Sequence, residues 1–248
     1  MKNRTNKNRT QKKVNYGNIL AKTNLFLISD IVPLTDNQQL AFDYHNELKN
    51  NLVLNGFPGT GKTFLAIYMA LLDVLNPNSP INHIKIIRST VSSRDEGFLP
   101  GSPEEKLEIY TGAYSDIFNM LFGRDDAFII LKKYGIVSIE STSYLRSKTF
   151  DNTSYILDEM QNCKFQELDT FITRTGENTR LYLCGDYYQS DLTGKDKYGV
   201  LDFLKILYSM DEDFKTVQFE REDCVRNKLV RNYLIKKAQY EKNKHALK

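Results

Sequence analysis

The sequence predicts an α/β protein: one domain built on a parallel sheet with helices on both faces. Three observations predict it. From residue 51 onward, short β-rich apolar runs alternate with helical patterns, which is the signature of βαβ units. One junction between such a run and a helical pattern reads Gly56-Phe57-Pro58-Gly59-Thr60-Gly61-Lys62-Thr63. A later apolar run, Tyr155-Ile156-Leu157, ends in Asp158-Glu159.

Strands are expected at 52–54, 84–87, 136–139, 155–157, 181–183 and 216–219. Helices are expected at 62–75, 104–122, 165–173, 200–207 and 229–240. The stretch near 90–125 reads as a helical piece inserted between strands. No repeat and no Pro- or Gly-rich linker divides the chain, so residues 15–248 read as a single domain. Residues 1–14 read as a disordered basic tail. Residues 1–13 hold six basic side chains and no acid. Six exceeds the net charge of +3, so the remainder is mildly acidic. A polar, Asn-rich tail cannot bury apolar surface. It serves either solubility or contact with phosphates.

Hydrophobic residues make up 41% of the 248, enough for a buried core. No apolar run approaches the roughly 20 residues of a membrane span, and no apolar stretch follows the basic N-terminus as a secretory signal would require. Cys163, Cys184 and Cys224 share no metal-type spacing. An odd, sparse count fits a reducing compartment rather than a disulfide framework. A cytoplasmic protein is expected.

The octapeptide at 56–63 matches G-x-x-x-x-G-K-[ST] in the context that motif needs, after a strand and opening a helix. Glycines let the backbone curl so that successive N–H groups cradle an anion. The helix N-terminus adds its positive dipole end. Lys62 is expected on the β- and γ-phosphates of a nucleotide, and Thr63 Oγ on Mg²⁺. The alternative is a Gly-rich turn with no ligand. Asp158 stands where a strand-end aspartate would hold the Mg²⁺ shell, and Glu159 would orient or deprotonate the attacking water. The alternative there is a pair of solvated helix-capping acids. After the 181–183 run, Gly185-Asp186 precedes Gln189. Gln189 either senses the γ-phosphate or follows a plain turn. Thr35-Asp36-Asn37-Gln38 is either a capping box or supplies an amide, that of Gln38, which reads an adenine edge.

Together these segments resemble the PhoH family of P-loop ATPases, relatives of the superfamily-one helicases. The resemblance runs from about Thr35 to about Tyr233. It is carried by Thr35-Asp36-Asn37-Gln38, the phosphate loop, Arg88-Ser89-Thr90-Val91, Gly97-Phe98-Leu99-Pro100-Gly101 with Glu104-Glu105-Lys106, and Leu145-Arg146-Ser147-Lys148-Thr149-Phe150. Leu157-Asp158-Glu159-Met160-Gln161-Asn162, Thr173-Arg174-Thr175-Gly176, Gly185-Asp186 with Gln189 and Asp191, and Asp223-Cys224-Val225-Arg226 complete it. Met160, Tyr187-Tyr188 and Ser147 depart from the family's usual Ala, Pro-Thr and Gly. The resemblance implies a RecA-like fold and ATP hydrolysis with Mg²⁺. It implies Gln38 at adenine, Gln189 and Arg226 at the γ-phosphate, and Arg88 near a nucleic-acid path of RNA or single-stranded DNA. A bacterium or a phage-infected host cell is the expected setting.

After the nucleotide domain the chain has only a short helical tail. A homo-oligomer is therefore expected, most simply a closed ring such as a hexamer, with Arg174 the candidate donated to a neighbour's site and Arg226 its rival, close enough to the last strand to act within its own chain. One rival reading is a P-loop kinase for a small molecule. Another is a non-hydrolysing nucleic-acid-binding module with ATP as a structural ligand.

Overall fold

Residues 27–48, 51–89, 103–147, 149, 151–190, 192 and 194–246 are described by the computed structural model. The tail at 1–14, the Gly97-to-Gly101 segment, Thr90, Val91, Lys148, Phe150 and Asp191 lie outside the described residues. The strands are β1 (Asn51–Gly56), β2 (His83–Arg88), β3 (Val137–Ser141), β4 (Thr153–Asp158), β5 (Arg180–Gly185) and β6 (Phe214–Phe219). They form one sheet in the order β3-β2-β4-β5-β1-β6, and every neighbouring pair is parallel. The helices are α1 (Asp36–Asp43), α2 (Lys62–Leu75), α3 (Pro103–Phe122), α4 (Ala127–Lys133), α5 (Phe165–Thr173), α6 (Lys195–Tyr208) and α7 (Lys228–Ala246). The α/β class expected from the alternation, a parallel sheet flanked by helices, is the class observed.

Two cores explain why the strand runs are continuously apolar. Successive side chains of a strand point to opposite faces. Leu52 and Leu54 of β1, Ile156 of β4 and Tyr182 of β5 join the core beneath α1 to α4. Val53, Tyr155, Leu157, Leu181 and Leu183 join the other, against α5 and α6. A strand with both faces covered has no polar side, so alternation disappears from its sequence.

Helix α2 is buried on most of its circumference, from Leu65 through Leu71, because the sheet lies on one side and α1 and α3 on the other. Gly61 opens it at φ 86°, a left-handed conformation that favours glycine. Pro77 follows two residues after its end, where proline cannot continue a helix. Truncating a side chain such as Met69, fully buried here, costs about 2–5 kcal/mol.

The stretch expected as an inserted piece is part of the core. In its described portion α3 and α4 form the crossover from β2 to β3, and Tyr114, Phe118, Leu121, Phe128 and Leu131 pack into the same cluster as α2. The apolar residues of these helices cover the sheet face that parallel topology requires to be covered.

At the amino-terminal edge of the sheet lies a buried polar knot. Asp73, near the end of α2, accepts hydrogen bonds from Arg180 (2.7 Å), Tyr182 Oη (2.7 Å) and Ser154 Oγ (3.0 Å), and His45 Nε2 lies 3.2 Å away.

Candidate functional site

The opposite, carboxyl-terminal edge of the sheet holds a cavity of about 640 Å³. It opens beyond the ends of β1, β5 and β4, with β5 between the strand of the glycine loop and the strand of the acids. The crevice at strand carboxyl ends is where open α/β sheets bind ligands.

The glycine loop leaves β1 at Gly56, with φ 131°. A Cβ there would come 2.0 Å from the Phe219 carbonyl oxygen, so no other residue allows β1 and β6 this close. Two bonds strap the loop to the end of β6 and to the chain that follows it: Phe57 N–H donates to Phe219 O at 3.1 Å and Val225 N–H to Gly59 O at 3.0 Å. The Arg221 guanidinium lies 4.7 Å from the Phe57 ring centre. Lys62 Nζ curls back onto the Gly56 and Phe57 carbonyls at 2.8 and 2.7 Å. Burial lowers the ammonium's pKa from its ordinary value, against the opposing pull of Asp186, Glu159 and Asp158. A partly desolvated cation facing a cavity suits an anion better than a hydrated surface lysine does.

Across the cavity Asp158 ends β4 with both oxygens engaged. Thr63 Oγ1 donates to Oδ1 at 2.7 Å. Tyr114 Oη donates to Oδ2 at 2.7 Å, and Arg88 contributes from 3.2 Å. Burial disfavours the Arg88 charge, but Tyr114 and Asp158 outweigh it and the pKa is raised. Burial also raises the Tyr114 phenol well above its usual value, so it stays a neutral donor. Thr63 and Asp158 present hard oxygen atoms side by side at the cavity wall. That donor set fits Mg²⁺, which takes one or two protein oxygens and completes its shell with water and phosphate. Among the described residues no cluster of three or more His, Cys, Asp or Glu could hold a metal alone.

Glu159 lines the same cavity and has φ 54°, an uncommon conformation for a residue with a Cβ that costs of order 1–3 kcal/mol. Its carboxylate accepts from Gln161 Nε2. Gln161 Oε1 accepts from the Asp186 N–H at 3.0 Å, which fixes which end of the amide faces Glu159. The carboxylate is thereby tied to the turn after β5, where Gln189 also lines the cavity.

The residues expected from the sequence are therefore largely brought together. Pro58, Gly59, Gly61, Lys62, Thr63, Asp158, Glu159, Gln189 and Arg226 line one cavity. Thr60 and Phe57 shape the loop from behind, with Thr60 Oγ1 donating to Phe57 O at 2.9 Å. Gln38 lies behind the loop as well. Its Nε2 donates to Thr60 O at 3.0 Å and its Oε1 accepts from the Leu34 N–H at 2.9 Å. Thr35 caps α1 as half of the expected box, with Oγ1 accepting from the Gln38 N–H at 3.3 Å. A second cavity of about 680 Å³ shares Val225 with the first and runs between Leu34–Asn37 and the 220–225 turn.

Arg174 is not brought to the cavity. It is exposed at the end of α5, and the turn that follows bonds the segment before β4 through Asn152 N–H to Glu177 O at 2.9 Å. That is the sheet's opposite edge. Arg88, expected beside a nucleic-acid path, stacks on the Tyr110 ring, 3.9 Å from its centre, and pairs with Asp158. Asp186, read in the sequence as part of the turn that carries Gln189, also lines the cavity; sequence reasoning missed Tyr114. Nothing local marks Tyr114, because only the fold brings α3 against the end of β4.

A family description, PhoH-like protein, matches residues 30–238. A PhoH-like protein of Bacillus subtilis is 32% identical over 184 residues, covering 73% of this chain and 56% of that protein. Protein PhoH of Escherichia coli K12 is 32% identical over 193 residues, covering 76% and 53%. A PhoH-like protein of Mycobacterium leprae is 29% identical over 216 residues, covering 85% and 59%. The chain thus spans a little over half the length of these curated relatives. A structure of Bacteroides Pif1 bound to ssDNA aligns with a TM-score of 0.35 at 15% identity, covering 77% of this chain and 42% of that one.

Proposed function

Because the chain belongs to the PhoH-like family, we propose that it hydrolyses ATP with Mg²⁺ in the carboxyl-edge cavity and couples hydrolysis to RNA or single-stranded DNA. The observation that carries the reading is convergence: Lys62, the Thr63–Asp158 pair and Glu159 all face one cavity.

In this reading the loop N–H groups and Lys62 take the phosphates, and Lys62 exchanges the Gly56 and Phe57 carbonyls for phosphate oxygens. Thr63 and Asp158 would hold Mg²⁺, which would supply neutralisation of phosphate charge. Glu159, oriented by Gln161, accepts a proton from the attacking water. Gln189 senses the γ-phosphate. Gln38 gives one amide hydrogen to Thr60 and has a second with which to read the adenine edge. Arg226 meets developing charge on the γ-phosphate from its own chain. Arg174 reaches a γ-phosphate only from a neighbouring copy, so its role requires a homo-oligomer. The polynucleotide partner is supported by family membership and by the basic residues at 1–13. A carboxylate beside the metal aspartate favours activation of water over transfer to a small-molecule acceptor.

Phosphate release, measured with and without single-stranded RNA or DNA across a dilution series, tests this. Release stimulated by polynucleotide, with turnover per subunit rising with protein concentration, is expected. No release with tight ATP binding would establish a structural nucleotide instead. Mixing Glu159→Gln with Arg174→Ala subunits decides the arginine. Recovered activity places Arg174 across an interface, and no recovery with concentration-independent turnover leaves Arg226 acting alone.

A further inference from the structure

The second oxygen of Asp158 is held from a helix that no nucleotide motif covers. An aspartate carboxyl turns readily about χ2, whose minimum is broad and two-fold. At the end of a strand facing a cavity it would rotate unless something stopped it. Here the Tyr114 hydroxyl donates to Oδ2 at 2.7 Å, a hydrogen bond to a charged acceptor and so of the stronger kind. Arg88 NH1 meets the same oxygen at 3.2 Å. One helical turn before Tyr114, the Tyr110 ring supports the Arg88 guanidinium, an arrangement that favours the cation in place. Tyr114 itself is 2% exposed, so its ring is fixed by the core and its hydroxyl has a fixed position.

We propose that Tyr114 is a positioning residue for the nucleotide-bound metal: its hydroxyl, with Arg88, pins Oδ2 of Asp158 so that Oδ1 faces Thr63 and the cavity. The proposal rests on the Mg²⁺-nucleotide reading of this cavity. Helix α3 thus supplies both the hydroxyl on the aspartate and the aromatic platform under its arginine. The bland account makes Tyr114 a core residue whose hydroxyl has merely found a nearby acceptor. That account gives Tyr114→Phe a stability cost and nothing more. The positioning account gives it a defect in metal use, since removing an outer-shell partner of a metal ligand typically costs 10–100-fold in metal affinity.

The test uses the full chain and a fluorescent N-methylanthraniloyl-labelled ADP. Its affinity is measured first in EDTA, then across a Mg²⁺ titration, with melting temperature recorded in parallel. In Tyr114→Phe the affinity in EDTA is expected to match the wild type. The Mg²⁺ concentration that half-maximally tightens binding is expected to rise about 10–100-fold, and excess Mg²⁺ is expected to restore tight binding. Arg88→Met, which leaves the ring of Tyr114 in place, is expected to shift the same midpoint in the same direction and guards against a Tyr114 variant that fails to fold. An unchanged Mg²⁺ midpoint in both variants would overturn the proposal, as would an equal loss of affinity with and without Mg²⁺. If wild-type protein binds the probe with no Mg²⁺ dependence at all, the metal-site reading itself falls, an outcome distinct from a wild-type response that the variants share.

Discussion

Two buried aspartates sit at opposite edges of the sheet in nearly the same chemical company. Asp73 at the amino edge has a tyrosine, an arginine and a hydroxyl on its carboxylate, and so does Asp158 at the carboxyl edge. Their side chains are 9% and 5% exposed. What separates them is what lies beyond the donors. Asp73 is near the C-terminal end of α2, where the helix dipole disfavours a carboxylate, and Arg180 offsets that with a 2.7 Å contact. Asp158 borders a cavity, and its Thr63 partner is a residue that the phosphate loop also presents to that cavity. A buried acid with a full set of donors is a structural element at one edge and a candidate metal ligand at the other. The strand direction, not the donor set, tells them apart.

Substitutions at the two edges are expected to separate the two aspartates. The largest effect is expected from Glu159→Gln, next to Asp158. With Glu159 as the proposed general base, turnover is expected to fall by about 10²–10⁴-fold while ATP binding and melting temperature hold. Loss of binding instead would make Glu159 a structural or metal residue. Asp73→Ala is expected to do the reverse. Leaving Arg180 buried and unpaired costs about 3–5 kcal/mol, read by denaturant unfolding, while the folded protein keeps its nucleotide affinity. A cost below about 1 kcal/mol, the range of an exposed pair, would erase the contrast.

A smaller effect joins the two readouts. A Cβ on Gly185 would lie 2.7 Å from Gln161 Oε1 and from Met160 Cγ. Gly185→Ala is expected to destabilise by about 1–3 kcal/mol through overpacking and, by moving Gln161 off Glu159, to reduce the proposed turnover of the folded protein. Full turnover in the folded fraction would remove Gln161 from the account. The smallest effect is the control. Lys205 and Asp202 form a pair on α6 with side chains 72% and 63% exposed, and Lys205→Ala is expected to change stability by less than about 0.5 kcal/mol.

Much of this was legible in the sequence. All six strands and α2 were readable because buried parallel strands are apolar runs and the loop motif fixes where α2 begins. Helix α4 was not, since seven residues are too few to display a 3.6-residue period. The start of α6 was hidden by Gly199, which reads as a breaker. Its lack of a side chain answers a contact instead, because a Cβ there would lie 3.0 Å from Phe165 Cβ. The phosphate loop and the acidic pair were legible as contiguous motifs. Tyr114 and the Asp73 knot were not, because each depends on residues far apart in the chain meeting at a sheet edge.

The most direct test of the central claim is steady-state phosphate release from Mg²⁺-ATP by wild type and Lys62→Ala side by side. Wild-type release above background, lost together with tight ATP binding when the loop lysine is removed, is the expected result. Equal release by both proteins would contradict the account, because hydrolysis would then not pass through the cavity at the carboxyl edge.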